Sequence, residues 1–274
     1  MKKKLPILFM IFLFSTTLNA QEDFKNLWSK VQKFEVDNLP KSALKVVEEI
    51  YTKAKNENNS SQLVKTLFYK SKFALILEED AQLKIINEFK KHISKSKSPT
   101  KNVLENVLAN LYWQYFQQNR WKFYQRTKTA TKVDEADFRT WDLNTLFSEI
   151  HANFQASLKD RLLLQQIGIY DYADILKIQK NSKIYRPTLF DFLAHNALDF
   201  YKTPENNITK PAYQFKVDNP QLLENARAFS LLNFTTKDNL SLQFNALKIY
   251  QDLIAAHIND KNLQALATVD LERL

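Results

Sequence analysis

The sequence predicts an all-α protein built from stacked antiparallel helical hairpins, of the tetratricopeptide or α-solenoid kind, in a single array. Apolar residues recur every three or four positions along most of the chain, as they do on one face of a helix. The 274 residues include a single glycine, Gly168, whereas β-hairpin turns depend heavily on glycine. A helix pair of similar pattern occurs near both ends, at residues 43–50 and 246–253, which is typical of repeat architectures.

The first twenty residues indicate a secretory signal peptide that is cleaved after Ala20. Three lysines begin at Lys2, and an apolar run from Leu5 to Leu18 leads to the small residue Ala20. This run is shorter than the roughly 20 residues that a membrane span needs. We therefore expect an exported protein, periplasmic, in the cell envelope or extracellular, in which residues 21–274 form one helical-repeat domain.

The first helical segments are predicted from their apolar stripes and from the residues that bound them. Pro40 suits a first helical turn, and the stripe after it contains Ala43, Val47, Ile50 and Ala54. A polar break at 56–61 precedes a second stripe of Val64, Leu67, Phe68, Ser71 and Leu75. A third helix begins at Asp80 and directs Leu83, Ile86, Phe89 and Ile93 inward. Asparagine, which is abundant, can end such helices in place of glycine.

The next helix has the widest apolar stripe of the chain. Ser98 is predicted to cap it and Pro99 to occupy its first position. Its apolar positions are Val103, Leu104, Val107, Leu108, Leu111, Tyr112, Tyr115 and Phe116. A stripe of this width predicts a helix that is buried between two neighbours.

The second half of the chain alternates helices with polar or proline-rich segments. After the polar residues 126–140, Asp142 is predicted to cap a helix with Leu143, Phe147, Ile150, Phe154 and Leu158 inward. A loop at 180–187 precedes a helix with Leu189, Leu193, Ala197 and Phe200 inward. Residues 202–220 contain three prolines and predict an irregular excursion. A helix pair from Asp238 breaks at 259–260, and Leu263, Leu266 and Leu274 keep helical register to the end, which predicts a domain truncated there.

The composition excludes several classes of catalytic and binding site. A phosphate loop, a dinucleotide-binding turn and a nucleophile elbow each need two or more glycines. The chain has no cysteine and its four histidines, His92, His151, His195 and His257, are far apart in sequence, which excludes a structural zinc site. The net charge of +9 is mild, and export disfavours a nucleic-acid partner. We predict no catalytic, cofactor-binding or metal-binding residues.

Two local patterns allow a functional interpretation and a structural one. Asp191 and His195 lie four residues apart on one helix and could form a base held by a carboxylate, which is the basis of an enzyme hypothesis. A hydrogen bond within or between helices is the interpretation we favour. The acidic clusters at 78–80 and 134–137 lack the spacing of a calcium loop, and we interpret them as charge at helix ends.

Residues 112–126 interleave aromatic side chains with arginine and lysine. Such a stretch could stack bases or sugars. Because the aromatic residues recur at helical spacing, we favour packing in the core and between helices, with Arg120 and Arg126 satisfying buried carbonyls or acids. This interpretation predicts that Trp113 and Trp121 are both buried.

Several strings of the sequence resemble the helical N-terminal region of large bacterial alpha-2-macroglobulin-like proteins. The strings are residues 112–121 (YWQYFQQNRW), 138–143 (FRTWDL) and 185–195 (YRPTLFDFLAH), with similar matches at 39–44 (LPKSAL) and 270–274 (DLERL). In that family the helical region precedes β-sandwich macroglobulin domains, a bait segment and often a Cys-Gln thioester that traps proteases. This chain has no cysteine and no β-rich portion, so the resemblance implies the leading segment only and carries over no trapping residue.

The resemblance implies a non-catalytic scaffold or docking module of an exported alpha-2-macroglobulin-like protease inhibitor. Its partners would be proteins, either downstream macroglobulin domains or envelope proteins, and proteases would be met only through a full-length parent. The alternative is a free-standing periplasmic helical-repeat adaptor for protein–protein interaction. No cofactor is expected, and association with a membrane is left open.

Overall fold

The computed structural model describes residues 23–127, 132–176, 178–207 and 211–274. The predicted signal peptide, residues 1–20, lies outside these residues. Within the described ranges the structure is all-α, as predicted. It contains no β-strand there, and its one isolated bridge joins Gly168 and Thr188. No helix in the described part of the chain has the length and apolarity to cross a membrane.

Twelve segments of the described chain are α-helical. They are α1 (23–36), α2 (Pro40–Asn56), α3 (Ser60–Leu77), α4 (Ala81–Ile93), α5 (Thr100–Tyr124), α6 (Leu143–Ser157), α7 (Arg161–Gln166), α8 (Ser182–Tyr185), α9 (Leu189–Tyr201), α10 (Ala226–Leu231), α11 (Leu242–His257) and α12 (Gln264–Arg273). Short 3₁₀ turns occupy Phe138–Thr140, Ile169–Tyr172, Pro204–Asn207 and Pro220–Leu223. The chain divides into two compact units, one ending at Ile85 and the other beginning at Ile86.

In the first unit α2 packs against α3 across a short turn, the arrangement of a helical hairpin. Pro40 stands at the first turn of α2 as predicted, and the core contains Phe24, Trp28, Val31, Ala43, Val47, Ile50, Ala54 and Phe73. The predicted stripe of α2 is therefore confirmed in full. Asn58 follows this helix with a φ of 53°, the left-handed conformation that asparagine tolerates at a helix end.

The predicted stripe of α3 is only half correct. Val64 and Leu67 are buried, but Phe68 and Leu75 are exposed, and Phe73 is buried in their place. The reason is that apolar residues occur on every side of α3, so the periodicity does not select one face. In α4, Ile86 and Phe89 are buried as predicted, whereas Leu83 and Ile93 are half-buried.

In the second unit α5 packs chiefly against α6 and also against α9, so the prediction of a helix between two neighbours is confirmed. Its capping was predicted wrongly. The helix begins at Thr100, Pro99 occupies the N-cap position, and the Ser98 hydroxyl instead bonds the Asp160 carboxylate. Asn119 interrupts the helix with φ −121° and ψ 20°, and its side-chain amide donates to the Tyr115 carbonyl at 2.9 Å.

Polar side chains join α5 to its neighbours inside the core, which the apolar pattern did not predict. The Asn106 amide donates to the Leu193 carbonyl at 3.0 Å and to the Ser157 hydroxyl at 3.2 Å. Its carbonyl oxygen accepts from the Asn196 amide at 3.1 Å. Because Asn106 is 1% exposed, these bonds fix the positions of α6 and α9 on α5.

The remaining predictions for the second unit are mostly confirmed. The Asp142 carboxylate caps α6 by accepting from the Thr145 amide at 2.8 Å. Residues 189, 193, 197 and 200 of α9 are all buried, and α11 and α12 pack together across the predicted break. Residues 180–187 contain the short helix α8 within the predicted loop. The tetratricopeptide-like stacking, the single domain and its truncation stay predictions.

Candidate functional site

A buried polar network begins at the first turn of α9. The Asp191 carboxylate accepts from the Thr188 amide at 2.9 Å and from the Thr188 hydroxyl at 2.6 Å. The Thr188 hydroxyl oxygen accepts in turn from the Asp191 amide at 3.3 Å, which completes a capping box. Asp191 is 0% exposed, so its charge needs a partner of opposite sign inside the protein.

His257, at the end of α11, is that partner. Its Nε2 lies 2.6 Å from Oδ1 of Asp191 and its Nδ1 lies 2.7 Å from Oδ2 of Asp260. With a carboxylate at each ring nitrogen, both nitrogens donate, and the ring carries a positive charge. Burial alone would lower the pKa of His257, but the hydrogen bonds and charges of Asp191 and Asp260 outweigh burial and raise this pKa to about 8.

The Asp191 carboxylate contacts His257, whereas the functional interpretation of the sequence had suggested His195. His195 Nδ1 lies 2.8 Å from the backbone carbonyl of Asp191, and its Nε2 lies 4.0 Å from Glu272. Burial, and then the charge of Arg186, lower the pKa of His195, which favours its neutral form. The hydrogen bond that we favoured for this pair is present, but through the backbone.

The chemistry of this network is that of a structural ion pair. Asp191 and His257 are 0% and 3% exposed, so a substrate in solvent cannot reach them. The Thr188 hydroxyl donates a hydrogen bond to the Asp191 carboxylate. A nucleophilic hydroxyl would instead donate to a histidine that acts as its base. The sequence did not predict His257 because 66 residues separate it from Asp191, and no spacing rule connects them.

The aromatic stretch of α5 divides at Asn119 into a buried part and an exposed part. Trp113 is 7% exposed and stacks on Phe116 with ring centres 5.3 Å apart, so its predicted burial is confirmed. Trp121 is 60% exposed, and the prediction that it is buried was wrong. Phe123, 1% exposed, follows the buried Phe116 by seven residues, about two helical turns, and points inward, whereas Trp121 lies two residues earlier on the opposite side of the helix.

Arginines of this stretch satisfy acids and carbonyls, as we had inferred. Arg120 lies 2.6 Å from Oε1 of Glu205, whose other oxygen accepts from the Tyr124 hydroxyl. Arg126 donates to the Trp141 carbonyl at 2.6 Å. Trp121 is left facing solvent beside Lys122, whose ammonium lies 5.4 Å from the centre of the indole ring.

The other residues that the sequence singled out take structural positions. His151 Nδ1 lies 2.9 Å from the Tyr201 hydroxyl, and burial lowers the pKa of His151. His92 Nε2 lies 3.9 Å from Glu88 on the same helix. Asp137 caps the turn Phe138–Thr140, as expected for charge at a helix end. Across the described ranges, no group of three or more metal-ligating side chains could hold an ion.

The closing string 270–274 contains an arginine that anchors the chain just after the irregular excursion. The Arg273 side chain is 1% exposed and donates to the Leu222 carbonyl and, at 2.8 Å, to the Glu224 carbonyl. Asp270 accepts from the same guanidinium at 2.6 Å. The guanidinium carbon also lies 4.3 Å from the centre of the Phe229 ring. The last helix thereby holds residues 222–224 in place.

Comparisons of this chain with protein-family models, with curated proteins and with solved structures find no match. The family resemblance therefore rests on the quoted strings. Their most distinctive residues are core and capping residues of the second unit, namely Tyr112, Trp113, Phe138, Trp141, Asp142, Thr188, Leu189, Asp191 and Leu193. In this chain these residues determine helix packing, and a binding function would depend on exposed residues.

Proposed function

We propose that this chain is a non-catalytic docking module of an exported protein, and that its binding surface centres on the exposed end of α5. The specific form that we propose is the leading helical region of an alpha-2-macroglobulin-like protease inhibitor. Its role would be to hold or recruit another protein while trapping is performed by other parts of a full-length parent.

The observation that carries the docking proposal is the pair of exposed aromatic side chains after the break at Asn119. Trp121 and Tyr124 are 60% and 53% exposed, although tryptophan is usually buried in a monomeric protein. Tryptophan, tyrosine and arginine are the residues that most often dominate the energy of protein–protein interfaces. Arg120 and Tyr124 are held in place by Glu205, so the surface is rigid before a partner arrives.

The proposed family form is supported by the chain-long resemblance and by the predicted signal peptide. The matching strings contain packing residues, which fits a region that works as a scaffold. Stacked helical hairpins, which we propose as the finer architecture, present extended surfaces for partners. The alternative form, a free-standing periplasmic adaptor, is supported by the similar helix pairs at residues 43–50 and 246–253.

A binding experiment with Trp121→Ala tests the docking proposal. The purified protein would be cross-linked in cell-envelope extract, and its partner would be identified and then titrated in pure form. We expect Trp121→Ala to weaken that partner's affinity by roughly 30-fold or more, the effect of a hot-spot residue. Tyr170→Ala is the matched control, because Tyr170 is 54% exposed at a different place. Equal affinity of the two variants would contradict the proposal.

The length of the native gene product separates the two forms of the proposal. An antibody against residues 23–274 would be used on a blot of envelope fractions. A species far larger than 32.2 kDa is expected for the leading region of a protease inhibitor. A species near the mass of this chain would overturn that form and favour the free-standing adaptor.

A further inference from the structure

The chain before and after α10 forms a polar concavity of about 430 Å³. This volume lies within the range of small-molecule sites, about 300–1,000 Å³. The concavity lies between two stretches of chain, 214–222 and 233–236, and its lining residues are Gln214, Phe215, Lys216, Asp218, Asn219, Leu222, Asn233, Phe234, Thr235 and Thr236. We call it the excursion concavity.

Both walls of the excursion concavity are fixed by side chains of the regular helices. Arg273 holds the carbonyl of Leu222, at the end of the first wall, and the carbonyl of Glu224, just after it. The Gln251 amide of α11 donates at 2.8 Å to two carbonyls that precede the second wall, those of Phe229 and Leu232. Loops that a rigid scaffold positions in this way commonly carry binding sites.

A buried carboxylate joins the two walls. Asp238 is 9% exposed, and its Oδ2 accepts from the Phe215 amide at 3.2 Å. Its own amide donates to the Thr236 hydroxyl at 3.0 Å. Phe215 and Phe234, one from each wall, lie with ring centres 6.3 Å apart. The concavity is therefore preformed, which lowers the entropy lost when a ligand binds.

The polar groups of the lining are mainly amides and hydroxyls. The side chain of Gln214 is half-buried and those of Asn233 and Thr235 are exposed, so all three can meet a ligand in the concavity. An amide offers two donor hydrogens and an acceptor oxygen, and a hydroxyl both donates and accepts. Lys216 and Asp218 have opposite charges, so the lining selects neither an anion nor a cation.

We propose that the excursion concavity binds a neutral oligosaccharide. Sugar hydroxyls both donate and accept, which matches amide and hydroxyl side chains at several points at once. The half-buried ring of Phe215 provides an apolar wall against which the C–H face of a sugar ring can pack. A phosphate-bearing ligand fits less well because Lys216 is the single cation in the lining, and Asp218 opposes it.

This inference is independent of the docking surface on α5. Saturation-transfer NMR would be recorded with the purified protein and a panel of neutral oligosaccharides built from hexoses and N-acetylhexosamines. We expect signals from at least one member, and a loss of affinity of roughly tenfold in Asn233→Ala and in Gln214→Ala. Gln118→Ala, an exposed amide on α5, is the matched control and should bind as the unaltered protein does.

Both substituted side chains lie at the surface or half-buried, so the variants should fold, and thermal unfolding would verify this. Co-sedimentation with an insoluble neutral polysaccharide would show whether the protein binds the same sugar units in a polymer. The proposal is supported if either experiment detects binding and Asn233→Ala weakens that binding. Absence of binding to the whole panel and to the polymer, or equal binding by all variants, would overturn it.

Discussion

Replacing His257 with glutamine removes a buried positive charge from between two carboxylates, and the structure gives the size of the expected effect. The ordinary histidine pKa of 6.5 rises to about 8 in the folded protein. This difference corresponds to about 2 kcal/mol of stability that depends on pH. The variant also leaves Asp191 buried without a counter-charge, so the total loss at about pH 6 should be roughly 3–5 kcal/mol.

The direction of the pH effect follows from the raised pKa of His257. Below pH 6.5 the ring is charged in both the folded and the unfolded chain, and its full contribution is present. Between pH 6.5 and about 8 the unfolded chain releases the proton while the folded chain keeps it, so stability falls as the pH rises. The contribution is lost above the folded pKa. The difference between the unaltered protein and His257→Gln should therefore shrink by about 2 kcal/mol from pH 6 to pH 9.

Urea unfolding followed by far-UV circular dichroism, at several values between about pH 6 and pH 9, would measure this difference. Asp260→Asn is the control variant, because it removes the half-exposed carboxylate and keeps the contact between His257 and Asp191. It should show the same direction of pH dependence with a smaller amplitude. If the difference in unfolding free energy between the unaltered protein and His257→Gln did not change with pH, the charged state of His257 would be refuted.

Four other substitutions test the packing and can be measured by the same unfolding method. Trp113→Ala should destabilise the protein by about 3–5 kcal/mol because the ring is buried, whereas Trp121→Ala should cost less than about 1 kcal/mol; equal losses would contradict the division of α5. Asn106→Ala should cost about 1–3 kcal/mol through its lost hydrogen bonds, and an unchanged midpoint would show that they contribute nothing. Arg273→Lys should cost about 2–4 kcal/mol, since lysine cannot reach both carbonyls and Asp270 at once. Limited proteolysis of Arg273→Lys should cut near residues 222–224, and resistance there would argue against the anchor.

The sequence predicted best those helices whose apolar residues occupy one face. In α2 the buried residues Ala43, Val47, Ile50 and Ala54 lie on one face, so pattern and structure agree. In α9 the capping box of Thr188 and Asp191 marks the start of the helix, and the predicted stripe is buried, but so are most of the other residues of this helix. In α6 the single signal of Asp142 located the start correctly. These features are local, and local geometry is what a periodic pattern records.

The errors arose where long-range packing decided the outcome, or where a whole aromatic stretch was assigned to one face of a helix. Phe68 and Phe73 are equally apolar, and only the position of α2 determines which of them is buried. Trp121 was placed in the core together with the other aromatic residues of α5, but it lies on the opposite side of the helix from the buried Phe116 and Phe123. The Asp191–His257 contact joins residues from two helices, and the four-residue spacing of Asp191 and His195 drew attention to the wrong histidine.

The division of α5 also gives the protein a built-in optical probe. Of its four tryptophans, Trp28, Trp113 and Trp141 are at most 7% exposed, while Trp121 is 60% exposed. Water-soluble quenchers should therefore act on one indole, and the quenched fraction of the fluorescence should come from Trp121 alone. Any molecule that covers the end of α5 would shift that emission to shorter wavelength and shield it, so occupancy of the docking surface can be followed in the unlabelled protein.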